Sequence, residues 1–168
     1  MTDIEFENCL NELDLRLFER IPSQSTDDDK LSLLALQLAV REKAGEYVYL
    51  EIGSYLGGSI QPHLLDPKCR RIYSIDKRPA SQPDARGFEW KYNNNSTKRM
   101  LDMLKGVSDA TEKIVTIDGD TRNALKKADE KVDLCFIDGE HTDAAVVSDF
   151  RFCLEAVKGR GVIVFHDS

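Results

Sequence analysis

Several signals that place a chain in a specialised class are missing from these 168 residues. No apolar run approaches the roughly 20 residues that span a bilayer. The N-terminus begins acidic and lacks the basic and apolar pattern of a secretory signal. Cys9, Cys69, Cys135 and Cys153 lie far apart, with no CxxC pair. Cys135 and Cys153 sit within apolar runs, so buried free thiols are expected, not a disulfide framework or zinc knuckle. A reducing cytoplasm is the expected location. Positive charge is in deficit, with 23 basic against 30 acidic residues and a net charge of −7. That argues against nucleic acid as a partner, since phosphate contacts need basic surface. Lys68, Arg70 and Arg71 form a small basic group that reads as a solvated loop before a strand. Internal repeats and low-complexity segments are absent. A hydrophobic content of 41% and a charged content of 32% leave one globular domain, long enough to bury a core.

What is present is a change of period along the chain. Phe6, Leu10, Leu13 and Leu17 recur at intervals of four, three and four, which predicts a helix over residues 4–20. Pro22 to Asp29 breaks it and supplies caps for a second, strongly apolar helix over residues 30–44, stopped near Gly45. Tyr47–Ile52 reads as a buried strand. A short helix over 58–65 must take Pro62 into its first turn. Residues 71–76 form a second strand, and residues 78–95, rich in Pro, Gly and Asn, are expected to be largely loop. Ser96 can cap a helix over 96–105. Strands at 114–117, 132–137 and 161–165 alternate with helices at 121–128 and 142–157. Five strands apolar on both faces, separated by helices, predict an α/β fold with a doubly wound parallel sheet. Residues 1–29 form a helical extension to a domain of residues 30–168.

In such a sheet, ligands bind beyond the carboxyl ends of the strands. Four of the five strands end in acids there: Asp76, then Asp118 and Asp120, then Asp138 and Glu140, then Asp167 after His166. Acids gathered at one edge repel each other and need a ligand, cation or solvent between them. After the first strand, the turn Gly53-Ser54-Tyr55-Leu56-Gly57-Gly58-Ser59 lets backbone approach a ligand and leads into a helix N-terminus that suits an anion. A dinucleotide fingerprint would need glycine where Tyr55 stands. A carboxylate is a better guest there than a pyrophosphate. Asp76, 23 residues beyond Gly53, suits the two hydroxyls of a ribose.

These segments together resemble class I S-adenosylmethionine-dependent methyltransferases over about residues 30–168. YLEIGSYLGGS (49–59) is similar to their first motif, with Glu51 as its acid and Tyr55 as a departure where many members carry glycine. IYSID (72–76) resembles the ribose strand, and TIDGDT (116–121) the third-strand segment. FIDGEHT (136–142) and GVIVFHD (161–167) resemble strands four and five of a Rossmann-like subfamily with many O-methyltransferases. The resemblance implies a sheet order of 3-2-1-4-5. It also implies S-adenosylmethionine contacts from Glu51, Gly53, Ser54, Tyr55, Gly57, Ser59, Asp76, Lys77, Asp120, Thr121 and Asp138, with Asp120 facing the adenine amino group. It further implies methyl transfer to an oxygen of a small-molecule acceptor. In metal-dependent members, acids at the ends of strands four and five hold a divalent cation, and Asp138 and Asp167 match them; oxygen ligands suit Mg²⁺ or another divalent ion. The family pattern adds Asp or Asn after that second acid, where this chain has Ser168. His141 stands where that class places a catalytic lysine. With Asp138 beside it, it is the candidate base, since imidazole titrates near neutral pH. His166 is expected to project into the same pocket or, by strand alternation, into the helical layer, the second being preferred; His63 is expected to lie on the surface and Trp90 to pack rather than bind.

The sequence stops after the fifth strand, without the strands six and seven that usually cover its edge. Val162-Ile163-Val164-Phe165 would then be an apolar edge, as expected of a truncated product, a fragment, or a protomer that covers the edge by pairing with another copy; a homo-oligomer or poor solubility is expected. A non-catalytic cofactor-binding or assembly module is the alternative reading. A nicotinamide-dependent oxidoreductase is disfavoured by Tyr55.

Overall fold

The computed structural model describes residues 1–78, 80–83, 86–124 and 129–166. Five strands form one parallel sheet: β1 (Tyr47–Ile52), β2 (Cys69–Asp76), β5 (Ile114–Asp118), β6 (Val132–Ile137) and β7 (Val157–Phe165). Their order is β5-β2-β1-β6-β7, which is third-second-first-fourth-fifth along the chain, as predicted.

Side chains alternate across the strands, and both faces are apolar. Tyr47, Tyr49, Ile72, Leu134 and Phe136 meet the N-terminal helices in one core cluster. Val48, Leu50, Tyr73, Ile75, Cys135 and Ile137 meet Phe152, Cys153 and Ala156 of α6 (Asp143–Ala156) in the other. The N-terminal extension belongs to the first layer, where Phe6, Leu10, Leu17 and Phe18 are buried. Buried Gln61 ties that extension down, donating to Phe18 O and Ile21 O and accepting from Ile21 N–H. All four cysteines are buried and free.

The predicted first helix is broken in two. α1 (Asp3–Asn11) ends at Glu12, Leu13 turns to φ 52°, and a 3₁₀ turn (Leu15–Phe18) follows. Asp14 caps that turn by accepting the Arg16 N–H. Its short side chain competes with the helix for backbone donors, which a hydrophobic stripe cannot reveal. α2 (Asp27–Ala44) starts three residues early because Thr26 and Asp29 form a reciprocal capping box. α3 (Gln61–Leu65) is shorter than predicted and takes Pro62 in its first turn. α4 (Thr97–Lys105) is capped by Ser96. α5 covers Thr121–Ala124, and residues 125–128 of the predicted helix lie outside the described residues.

The segment read as loop holds an antiparallel hairpin, β3 (Ser81–Pro83) with β4 (Glu89–Lys91). β7 starts four residues before the predicted strand. Its pairing shifts from Val132↔Val157 to Leu134↔Val162. Gly161 permits that bulge, since a Cβ there would stand 2.4 Å from Val157 Cγ2. His63 is not on the surface. It is buried, stacked on Tyr49 at 3.7 Å between ring centroids, with Nδ1 2.9 Å from the Tyr47 hydroxyl. No helix among the described residues is long and apolar enough to cross a membrane.

Candidate active site

Register brings the chemistry together. Ile52 pairs with Ile75 and Ile137, Asp76 with Asp118, and Ile137 with Phe165. The residues that follow these positions therefore emerge at one edge of the sheet. Gly53 leaves β1 at φ 90°, and a Cβ on it would stand 2.0 Å from the Asp138 carbonyl oxygen. Only glycine tolerates that approach and that backbone.

Tyr55 adopts φ 41°, a left-handed conformation that ordinarily favours glycine. The departure from the family motif thus keeps a glycine-like backbone while carrying a ring, which packs 5.0 Å from the ring of Tyr92. Asp76 holds the turn: one carboxylate oxygen accepts the Tyr55 N–H at 2.8 Å and the other accepts the Arg78 N–H at 2.7 Å. Arg78 is also left-handed at φ 53°. Its guanidinium folds back to the Tyr55 carbonyl and lies 3.3 Å from Asp76.

Glu51 is fully buried. It accepts from Tyr49 Oη and Ser59 Oγ, both at 2.7 Å, so it braces the glycine turn from beneath. Burial is the main influence on its carboxyl and pushes it up to about 7, against the hydrogen bonds that favour the charged form. Ser54 is buried on Ser74 at 2.8 Å. Gly57 leaves room for Leu104, whose side chain a Cβ would meet at 2.9 Å.

Beyond β2 and β5 lies a narrow cleft lined by Gly53, Asp76, Lys77, Asp120, Thr121 and Glu140. Lys77 spans it in an ion pair with Glu140 at 3.1 Å. Asp120 is held by the Arg122 guanidinium, which lowers its carboxyl below the usual range. Thr121 turns inward to Asp149 at 3.0 Å, and burial raises the Asp149 carboxyl.

Next to this cleft is a cavity of about 340 Å³, within the size range of small-molecule sites. Gln82 and Gly139 line both spaces. At one end of the cavity stand Asp138, His141 and His166. Asp138 Oδ1 is 3.6 Å from His141 Nε2 and 3.0 Å from His166 Nδ1, and one ligand atom from each of the three residues lies within 4.8 Å of the others. His166 Nε2 is 3.3 Å from Asp29 Oδ2. His166 lies on the side of Val162 and Val164, as alternation predicts, toward the first turn of α2, and it lines the cavity as well. The His166 N–H continues the ladder to Ile137 O, so alternation still aims its side chain one residue beyond the end of β7. Trp90 also lines the cavity instead of packing in either core cluster. Asp167 lies outside the described residues.

Sequence reasoning grouped Asp138 with His141 correctly as neighbours but missed Asp29, Gln24, Gln82 and Tyr92. Asp29 sits in a run of three aspartates and reads only as a helix cap. No local signal separates it from Asp27 and Asp28.

The model of a family described as a methyltransferase domain matches residues 50–168. An uncharacterised protein of Acanthamoeba polyphaga mimivirus is 27% identical over 122 residues, covering 73% of this chain and 52% of that protein. The chain thus spans about half the length of this curated relative. Among solved structures, an O-methyltransferase of Bacillus cereus in complex with S-adenosylhomocysteine aligns with TM-score 0.53 at 15% identity, over 98% of this chain and 66% of that one. The O-methyltransferase TomG of Streptomyces achromogenes, in complex with S-adenosylmethionine, aligns with TM-score 0.57 at 16% identity, over 96% and 70%. MycE of the mycinamycin pathway, in complex with Mg, S-adenosylhomocysteine and mycinamycin VI, aligns with TM-score 0.57 at 20% identity, over 94% and 38%. The doubly wound order, the glycine turn and the family match lead to one conclusion: the chain belongs to the methyltransferase-domain family and has its class I, Rossmann-like fold.

Proposed function

We propose that this domain binds S-adenosylmethionine in the cleft beyond β1, β2 and β5 and transfers its methyl group to a hydroxyl oxygen of a small molecule held in the adjoining cavity. The observation that carries this reading is the shared wall. Gln82 and Gly139 border both spaces, and Asp138 and His141 stand beside it. The ribose belongs on Asp76, and the methionine carboxylate on the turn 53–59. In the transfer, a C–O bond forms as the C–S bond breaks, and the electron pair stays on sulfur. The hydroxyl proton passes to His141, whose charged form Asp138 stabilises at 3.6 Å. Much of the acceleration comes from holding donor and acceptor in line.

His141→Ala should lower kcat about 10²–10⁴-fold, the usual contribution of a general base. Affinity for S-adenosylhomocysteine should stay within about twofold. Unchanged turnover would remove His141 from the reaction. If neither S-adenosylmethionine nor S-adenosylhomocysteine binds in calorimetry, the alternative of a domain that keeps the fold without the chemistry replaces this one.

Metal assistance is a second reading, supported by the Asp138–His141–His166 cluster and by the Mg in the MycE structure. One carboxylate and two imidazoles fit a divalent ion of the zinc or manganese type better than Mg²⁺, which prefers oxygen. Asp138, His141 and His166 would be its ligands in this chain, and Asp29 would orient His166 from behind. Such an ion, when bound, lowers the pKa of a hydroxyl placed on it.

A further inference from the structure

Strand β4 carries an alternation that lies outside both core clusters. Phe88, Trp90 and Tyr92 are separated by Glu89 and Lys91, so the three rings fall on one side of an extended segment. None of the three belongs to either core cluster. Phe88 is 65% exposed and Trp90 47%, while most other aromatic side chains of the fold are buried. Large rings left outside a core commonly mark a binding surface.

Trp90 and Tyr92 line the 340 Å³ cavity. Gln82, the cross-strand partner of Trp90, lines it too. The hairpin therefore turns one face toward Asp138 and His141. Tyr55 anchors that face through its ring contact with Tyr92, and the Tyr92 N–H donates to Ala80 O at 2.9 Å. Among the described residues, no Lys or Arg lines this cavity. An anionic acceptor would meet Asp138 with no Lys or Arg of the lining to offset it.

Resting on the methyl-transfer reading above, we infer that the β3–β4 hairpin is the acceptor-recognition element and that the acceptor is an uncharged, flat aromatic alcohol. Its ring lies against Trp90 and Tyr92 by offset or edge contacts. Gln82 and Gln24 serve its polar substituents. Its hydroxyl points to Asp138 and His141.

Trp90 is the single tryptophan of the chain, so its emission reports on this cavity alone. Calorimetry with S-adenosylhomocysteine comes first. The protein loaded with it is then titrated with resorcinol and, in parallel, with cyclohexane-1,3-diol, the saturated counterpart with the same two hydroxyls. Resorcinol should change Trp90 emission saturably, and the saturated diol should not. Tyr92→Ala, which keeps Trp90, should weaken resorcinol binding about tenfold, the scale of one lost ring contact, without moving S-adenosylhomocysteine affinity. If S-adenosylhomocysteine binds but resorcinol does not, or binds no better than the diol, the aromatic acceptor is wrong and the cofactor reading stands. An unchanged resorcinol affinity in Tyr92→Ala would refute the hairpin's role. Failure to bind S-adenosylhomocysteine overturns both.

Discussion

The carboxylate of Asp76 holds the backbone N–H of Tyr55 at 2.8 Å, across 21 residues of sequence. The contact makes the second strand the support of the turn after the first. It also explains how a bulky residue stays at φ 41°: the bond offsets a conformation that disfavours side chains by roughly 1–2 kcal/mol.

Asp76→Ala should therefore have two effects. Affinity for S-adenosylhomocysteine should fall by about 1–3 kcal/mol, since hydrogen bonds to a charged acceptor are lost. The turn should loosen as Tyr55 and Arg78 lose their partner. Calorimetry reads the first effect, and amide hydrogen exchange at Tyr55 reads the second. Unchanged affinity would remove Asp76 from the ribose.

Two buried titratable groups predict opposite limbs of a stability profile. Burial raises the Glu51 carboxyl from 4.5 to about 7. Between those values the folded chain holds a proton that the unfolded chain has released, so stability falls as pH rises through that window. Burial lowers His63 from 6.5 to about 3. Below 6.5 the unfolded chain takes up a proton that the folded one refuses, so stability falls as pH drops from 6.5 toward 3. Glu51→Gln should flatten the decline on the high side in chemical denaturation at stepped pH. The same slope in the variant would show that Glu51 does not set it.

The Asp138–His141–His166 cluster predicts metal preference. Mn²⁺ and Zn²⁺ should bind measurably in calorimetry, and Mg²⁺ more weakly. His166→Ala should weaken Mn²⁺ at least tenfold. Asp29→Asn should act in the same direction, within the roughly 10–100-fold range of partners that orient a ligand. Equal binding of all three ions by His166→Ala and the parent would place the ion elsewhere.

The outer edge of the sheet predicts self-association. β7 pairs with β6 on one side. On the neighbouring helix, Val147, Phe150 and Leu154 are exposed, and the Phe150 ring lies 5.5 Å from that of Phe165. Sedimentation at rising concentration should show a dimer through this band, and Phe150→Lys with Leu154→Lys should return it to monomer. A stable monomer at high concentration counts against the pairing.

The strands were legible because each is an apolar run, a local property, and their order because the motifs they carry resemble those of class I methyltransferases. The acids beyond β2, β5 and β6 were legible for the same reason: in a parallel sheet, strand ends share one edge, so their position follows from topology. Side-chain partners beyond the strands were not legible. Alternation placed His166 on the side of the N-terminal helices but did not show that it meets Asp29 and lines the cavity. His63 was placed on the surface because its polarity was visible and its partners, Tyr47 and Tyr49, were not. Trp90 was assigned to packing because short hairpins rich in Pro and Gly carry little local signal. What the sequence determined by itself was the layered sheet and the family of its glycine turn, both set by nearest neighbours and period. Only the tertiary structure decided that Asp29 reaches His166 across 137 residues, that Glu51 braces rather than lines the cleft, and that the aromatic face of β4 looks into the cavity. Each of those depends on which distant segments pack together, and no local pattern encodes that.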